Sequence, residues 1–133
     1  MKLQTLMVVK AVVALVLGVL LLVAPTFGFS LFGASVTGDG TFPAQEYGVA
    51  MLGIVLMTWF GRNTAESQAR RAIILNLFIY DAICVVISLI AVSRGMFNLL
   101  GWGIVIIYLF FTLGFGYFWF ARPAPAVKLV ILS

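Results

Sequence analysis

A single acidic residue, Asp81, stands in the middle of a long apolar run. At that depth in a membrane helix an aspartate opposes insertion by about 2.5 to 3.5 kcal/mol, so it needs a compensating role. At 100° per residue, Asn76, Tyr80, Asp81, Cys84 and Ser88 fall within an arc of about 140° and form one polar stripe. A tight hairpin turning near Arg94 and Gly95 sets Asp81 level with Tyr108 on the next apolar run. Two chemistries fit. In one, Asp81 titrates as part of a proton or ion relay, or holds a polar headgroup. In the other, the stripe joins helices, and the carboxyl shares hydrogen bonds with Tyr108, with Thr112 or with a Lys10 that reaches toward it from the cytoplasmic side.

Other polar residues have simpler readings. Glu46 begins an apolar run on the same face as Ala50, Gly53 and Met57, and a carboxylate is favoured at a helix N-terminus. Arg62, Arg70 and Arg71 form a basic group that fits anionic lipid headgroups and, equally, fixes topology. Small residues four apart recur at Ala14 and Gly18, at Ala44 and Gly48, and at Thr112 and Gly116, a spacing that lets helix backbones approach in lipid. The last apolar run carries Trp102, Phe110, Phe111, Phe115, Phe118 and Trp119, a surface for lipid or for a pigment or quinone held by a neighbouring protein.

Composition narrows the classes further. Of 133 residues, 64% are hydrophobic and 9% charged, against roughly one-quarter charged in a soluble domain. Histidine is absent, which removes the commonest ligand for zinc, copper and haem, and neither a metal site nor a cofactor is expected. Cys84 is the single cysteine, so no intramolecular disulfide can form. The net charge of +4 comes from basic residues at the ends of apolar runs, which suits membrane orientation and not nucleic-acid binding. Dinucleotide-binding, phosphate-loop, nucleophile-elbow, CxxC and HExxH motifs are all missing.

The elements that carry these residues are four apolar segments, each about the 20 residues needed to cross a ~30 Å hydrocarbon core. The expected fold is all-α, an integral membrane four-helix bundle forming one domain, with helices at about 3–24, 43–60, 72–92 and 96–121. Pro25, with Gly28 and Gly33, is expected to end the first. That segment also has the outline of a secretory signal, but Pro25 follows Ala24 directly and no small-x-small cleavage site is in view, so a retained helix is expected. Proline at the start of the second segment does little harm. Asn63 followed by Glu66 reads as a variant capping box before the third, and Arg122 and Pro123 close the fourth. Between the first two segments, residues 25–42 carry Phe27, Phe29, Leu31 and Phe32 and no Lys or Arg. They are expected on the membrane surface, with a turn at Gly38-Asp39-Gly40.

Lys2, Lys10, Arg62, Arg70, Arg71, Arg122 and Lys128 fall on one side of this arrangement and Arg94 alone on the other. The positive-inside rule then puts both termini in the cytoplasm, and the aromatic residues Trp59, Phe60 and 117–120 at the inner interface, with Trp102 near the outer one. The β-branched apolar tail 127–133 would be awkward in water and is expected to lie on the membrane or dock on a partner.

With its spans, Gly48, Gly53, the stretch Trp59-Phe60-Gly61-Arg62-Asn63 and the following Arg70-Arg71, the chain resembles small four-helix bacterial membrane proteins of the DoxX-like kind. The resemblance implies residence in the bacterial cytoplasmic (inner) membrane and a link to redox or quinone-associated complexes. The expected function is that of a non-catalytic accessory or structural subunit of a larger membrane complex, of the energy-transducing (respiratory or photosynthetic) class, with membrane lipids and other membrane subunits as partners. The alternative is a small proton or solute transporter or channel component using Asp81. An enzyme acting on lipid or quinone would have only Asp81, Tyr108 and Glu46 to work with.

Overall fold

The long apolar runs are helical, and the computed structural model, which describes residues 1–121, contains no strand among them. Arg122, Pro123, Lys128 and the 127–133 tail lie outside the described residues. Helix α1 (Leu3–Val23) stops where Ala24 leaves the helical region, as the residue before a proline tends to do. Pro25 then opens a short helix, α2 (Pro25–Ser30), in which its missing N–H falls at the first position. The first helix thus ends before Pro25 as expected, but the expectation of no further helix there is corrected: Pro25 redirects the chain into another helical turn. A 3-10 turn occupies Gly38–Gly40 and leads into α3 (Thr41–Gly61).

Helix α4 (Gln68–Ser93) starts several residues earlier than expected. Its cap is Ser67, whose Oγ accepts from the Arg70 amide at 3.2 Å, while the Asn63 side chain accepts instead from Gln4 on α1. Helix α5 (Gly101–Phe120) starts later than expected. The loop before it contains Gly95 at φ +74 and Asn98, whose Oδ1 accepts from the Leu100 amide at 2.9 Å. Hydropathy alone does not register either feature.

Three of these helices, α1, α4 and α5, are long and apolar enough to cross a membrane. Helix α3 is not among them: it has 21 residues but carries Gln45, Glu46 and Tyr47 in its first half. It still runs the length of α1 in the opposite direction. Gln4 bonds to Asn63 at one end, and Gln45 donates to the Leu22 carbonyl at 3.0 Å at the other.

The helices associate as two tight antiparallel pairs, α1 with α3 and α4 with α5, whereas backbones hardly meet across the pairs. Between α1 and α3 the closest approach is at Gly18 and Gly48. A Cβ at Gly48 would sit 2.8 Å from the Gly18 carbonyl oxygen and 2.8 Å from the Leu22 nitrogen, which leaves room for hydrogen only. Across the pairs, one half of the bundle is filled by Leu3, Leu6, Met7, Ile74, Leu77, Phe111, Phe115 and Trp119. The other half is not filled: it is roofed by α2 with the chain that follows it and by the 94–100 loop, tied where the Asn98 amide donates to the Phe32 carbonyl at 2.7 Å and its side-chain amide donates to the Leu31 carbonyl at 3.1 Å.

The glycine contact gives the first test. Gly48→Ala should lower stability by about 1–3 kcal/mol, because the two backbones must separate, when unfolding is followed in mixed micelles titrated with sodium dodecyl sulfate. Gly53→Ala, where an added Cβ meets nothing within 4 Å, should leave the midpoint unchanged or slightly raised.

Candidate functional site

An isolated carboxylate cannot stay charged in a low-dielectric interior, so the first question is what faces Asp81. Its side chain is 0% exposed, and its Oδ1 lies 2.6 Å from Nζ of Lys10, whose side chain is 3% exposed. The pair joins α1 to α4 and is therefore a bridge between the two helix pairs. Three aromatic rings wall the ammonium: Phe111 with its centroid at 4.5 Å, Tyr80 at 5.3 Å and Tyr108 at 5.8 Å. Their π-faces are attractive to a cation that has lost its water. The other carboxylate oxygen, Oδ2, is buried without a hydrogen-bond partner among the described residues.

Of the partners considered for Asp81, Lys10 is the one in place. Tyr108 is engaged elsewhere, its hydroxyl sharing a hydrogen bond with Tyr47 of α3, and Thr112 donates to the Tyr108 backbone carbonyl at 2.7 Å. A charge-assisted bond is the stronger choice for a buried carboxylate. Two basic residues therefore leave the basic flank to which the sequence assigned them. Lys10 is inside the bundle, and Arg71, 1% exposed, donates to the carbonyls of Phe118 at 2.9 Å and Trp119 at 2.6 Å. Its guanidinium stacks 4.2 Å from the Trp119 ring centroid. A cation is favoured at this helix C-terminus, where α5 carbonyls lack helical partners. Arg62 and Arg70 stay half-buried at the loop end, and Arg62 stacks over Trp59.

The polar stripe is brought together in part. Asp81 and Ser88 are buried and Tyr80 and Cys84 half-buried on the inner side of α4. Asn76 is exposed, because the inward line runs through Ile74, Leu77, Asp81 and Ser88 and Asn76 lies about 120° from its centre. Ala14, Gly18, Ala44 and Gly48 are all buried, on α1 and α3. Gly116 is buried against Phe78, and Thr112 is half-buried. Glu46 is exposed on the outer side of α3.

Next to the ion pair, a cavity of about 390 Å³ fills the space left between the helix pairs. Its inner end is formed by Lys10, Tyr47, Cys84, Ser88 and Tyr108, and its outer end by Phe29, Phe32, Met96 and Phe97. Tyr80 donates to the Tyr47 hydroxyl at 3.4 Å, so three tyrosines from three helices meet at that inner end. Tyr47 was not found from the sequence. Its neighbour Glu46 drew attention by charge, and a half-buried tyrosine in a weakly amphipathic helix has no pattern of its own. For Lys10 a signal did exist, since it is the only base within an apolar run and Asp81 the only acid deep within another.

Comparison with protein-family models, with curated proteins and with solved structures finds no match to this chain.

The pair makes a definite prediction by linkage. Asp81→Leu or Lys10→Met alone leaves an uncompensated buried charge and should lower stability by about 3–5 kcal/mol, whereas the double variant Lys10→Met/Asp81→Leu should recover most of the loss. Thermal unfolding of the four proteins in one detergent checks this. Equal losses that simply add in the double variant would show that the two groups do not interact.

Proposed function

We propose that the chain is a non-catalytic accessory subunit of a larger membrane assembly, with α1, α3, α4 and α5 all crossing the bilayer and both termini in the cytoplasm. The observation that carries the reading is a seam on the outside of α5. Trp102, Ile106, Phe110, Leu113, Tyr117 and Phe120 are all exposed, and from Ile106 onward they alternate steps of four and three residues. That is the spacing by which one helix packs along another at a shallow left-handed angle, the commonest arrangement in membrane bundles. No helix among the described residues covers the seam, so a second polypeptide fits it. The DoxX-like resemblance inclines the choice of assembly toward energy-transducing complexes.

Two further features support the arrangement. Helix α3 matches α1 in length and ends level with it, which suits a fourth span despite its polar first half. With Lys10 and Arg71 inside the bundle, Lys2, Arg62 and Arg70 still outweigh Arg94, so the positive-inside rule keeps the same orientation. The alternative, a proton or solute pathway through Asp81, is less well supported, because a relay would have to break an ion pair that is closed by aromatic rings.

Gentle solubilisation followed by native mass analysis should find the chain attached to larger membrane subunits. Phe110→Gln with Leu113→Gln should release it without unfolding it. A chain that is monodisperse alone under every mild condition, or one that only pairs with itself, overturns the reading. In proteoliposomes, Asp81→Asn should change no flux; loss of a wild-type flux with assembly intact would establish the transport alternative instead.

Orientation has its own check. In a Cys84→Ser background, a membrane-impermeant maleimide applied from outside the cytoplasmic membrane should label Asp39→Cys and leave Ser67→Cys unlabelled until the membrane is broken.

A further inference from the structure

The cavity between the helix pairs has walls of one kind and an inner end of another. Leu17, Leu20, Ile104 and Ile107 line its length, while Lys10, Tyr47 and Tyr108 close its inner end. Counting protons at that end is informative. Tyr80 spends its hydroxyl proton on Tyr47, or on the Met51 sulfur at 3.7 Å, and Tyr47 and Tyr108 share one hydrogen bond between them. Whichever of the two donates, the other keeps a proton with no oxygen or nitrogen to receive it. Both tyrosines line the cavity. Ser88 donates to backbone carbonyls of its own helix, and the nearby Cys84 thiol offers only sulfur, a weak acceptor. A hydroxyl proton left to sulfur alone in an apolar space would be better met by a carbonyl oxygen.

The charge balance decides what kind of acceptor fits. Lys10 and Asp81 already neutralise each other at the inner end, and an anionic head would add a third charge to a place where charges are costly. A neutral head can lie at that depth with its chain pointing toward the outer end; the charged headgroup of a phospholipid would have to leave the interface to do so. The volume lies near the lower end of the roughly 300–1,000 Å³ typical of small-molecule sites, enough for one chain and not for two.

We propose that this cavity binds a neutral, single-chain apolar molecule through a carbonyl oxygen that accepts the hydroxyl proton which the Tyr47–Tyr108 pair otherwise leaves to sulfur, the chain lying along Leu17 and Ile104 toward Phe29 and Phe97. The inference goes beyond the subunit reading, since it concerns the inside of the bundle and not the outer face of α5.

The test uses the full chain in mild detergent and, as probe, a long-chain fatty acid methyl ester with a photoreactive diazirine near the end of its chain. Crosslinking should saturate, map to the peptides around Phe29 and Phe97, and be competed by the plain methyl ester about tenfold better than by an alkane of equal length, the worth of one hydrogen bond. Tyr47→Phe/Tyr108→Phe keeps the rings and should weaken the ester about tenfold while leaving the alkane unchanged. Ala91→Phe, which fills the cavity, should abolish labelling in a protein whose thermal unfolding shows it to be folded; should it fail to fold, the tyrosine pair, which keeps its shape, carries the test. Labelling that never saturates, that spreads over the outer surface, that survives Ala91→Phe, or in which the alkane competes as well as the ester, overturns the proposal.

Discussion

The bundle depends on one ion pair. In lipid, apolar side chains gain little by leaving their surroundings for one another, so leucines on facing helices say little about which helices should meet or at what height. Lys10 and Asp81 do say it. Each is expensive to bury alone, and neither has another full charge within reach in the described interior. Helices α1 and α4 hardly meet through their backbones, yet this contact sets their register, and through the two tight pairs it sets α3 and α5 as well. Replacing such a pair by well-packed apolar residues is often neutral for stability, so we regard register and specificity, more than stability, as what it contributes.

The pair also marks the boundary between two kinds of interior. On one side, large rings do the packing: Phe111 and Phe115 stack 6.2 Å apart by centroid, and Leu6 and Met7 are at most 1% exposed against them. On the other side, Gly18 and Gly48 draw α1 and α3 into backbone contact. Helices that approach so closely leave the space on their far side to be filled by others, and the small Ala91 and Ser88 that α4 presents there do not fill it. The cavity is thus a consequence of glycine placement as much as of anything that lines it.

This division explains what could be read from the sequence. The all-helical class was legible because apolar runs of such length admit little else, and Asp81 stood out because a charge in that setting must be answered. The answering residue was harder. Lys10 was named only beside Tyr108 and Thr112, and was also counted with the basic flank, because its partner is 71 positions away in sequence. Whether a base near a helix end points outward or inward depends on the rotation of that helix, which no local pattern records in a helix apolar on all sides. Arg71 was misread for the same reason: beside Arg70 it looks like a surface pair, but one step of 100° turns it to the C-terminus of α5. Helix ends were displaced where loops are held by single polar contacts, as at Ser67 and Asn98, that hydropathy does not weigh.

The two ends of the bundle are also held differently. At the packed end, Arg71 holds the last turn of α5 by two carbonyl bonds, and the ring stack behind it leaves no slack. At the hollow end, the pairs are connected through the 94–100 loop and the chain after α2, chiefly by Asn98 against Phe32 and Leu31. Gly33, at φ +80, lets that chain pass beside Asn98, where a Cβ would come within 3.1 Å of the Asn98 backbone nitrogen. A change in the separation of the two pairs therefore meets least resistance at the hollow end, since at the packed end it would break charged contacts and ring packing together. Local openings of a folded protein start where buried contacts are fewest. In this chain that place is the roof of the cavity, with the Lys10–Asp81 pair at the other end of the hollow.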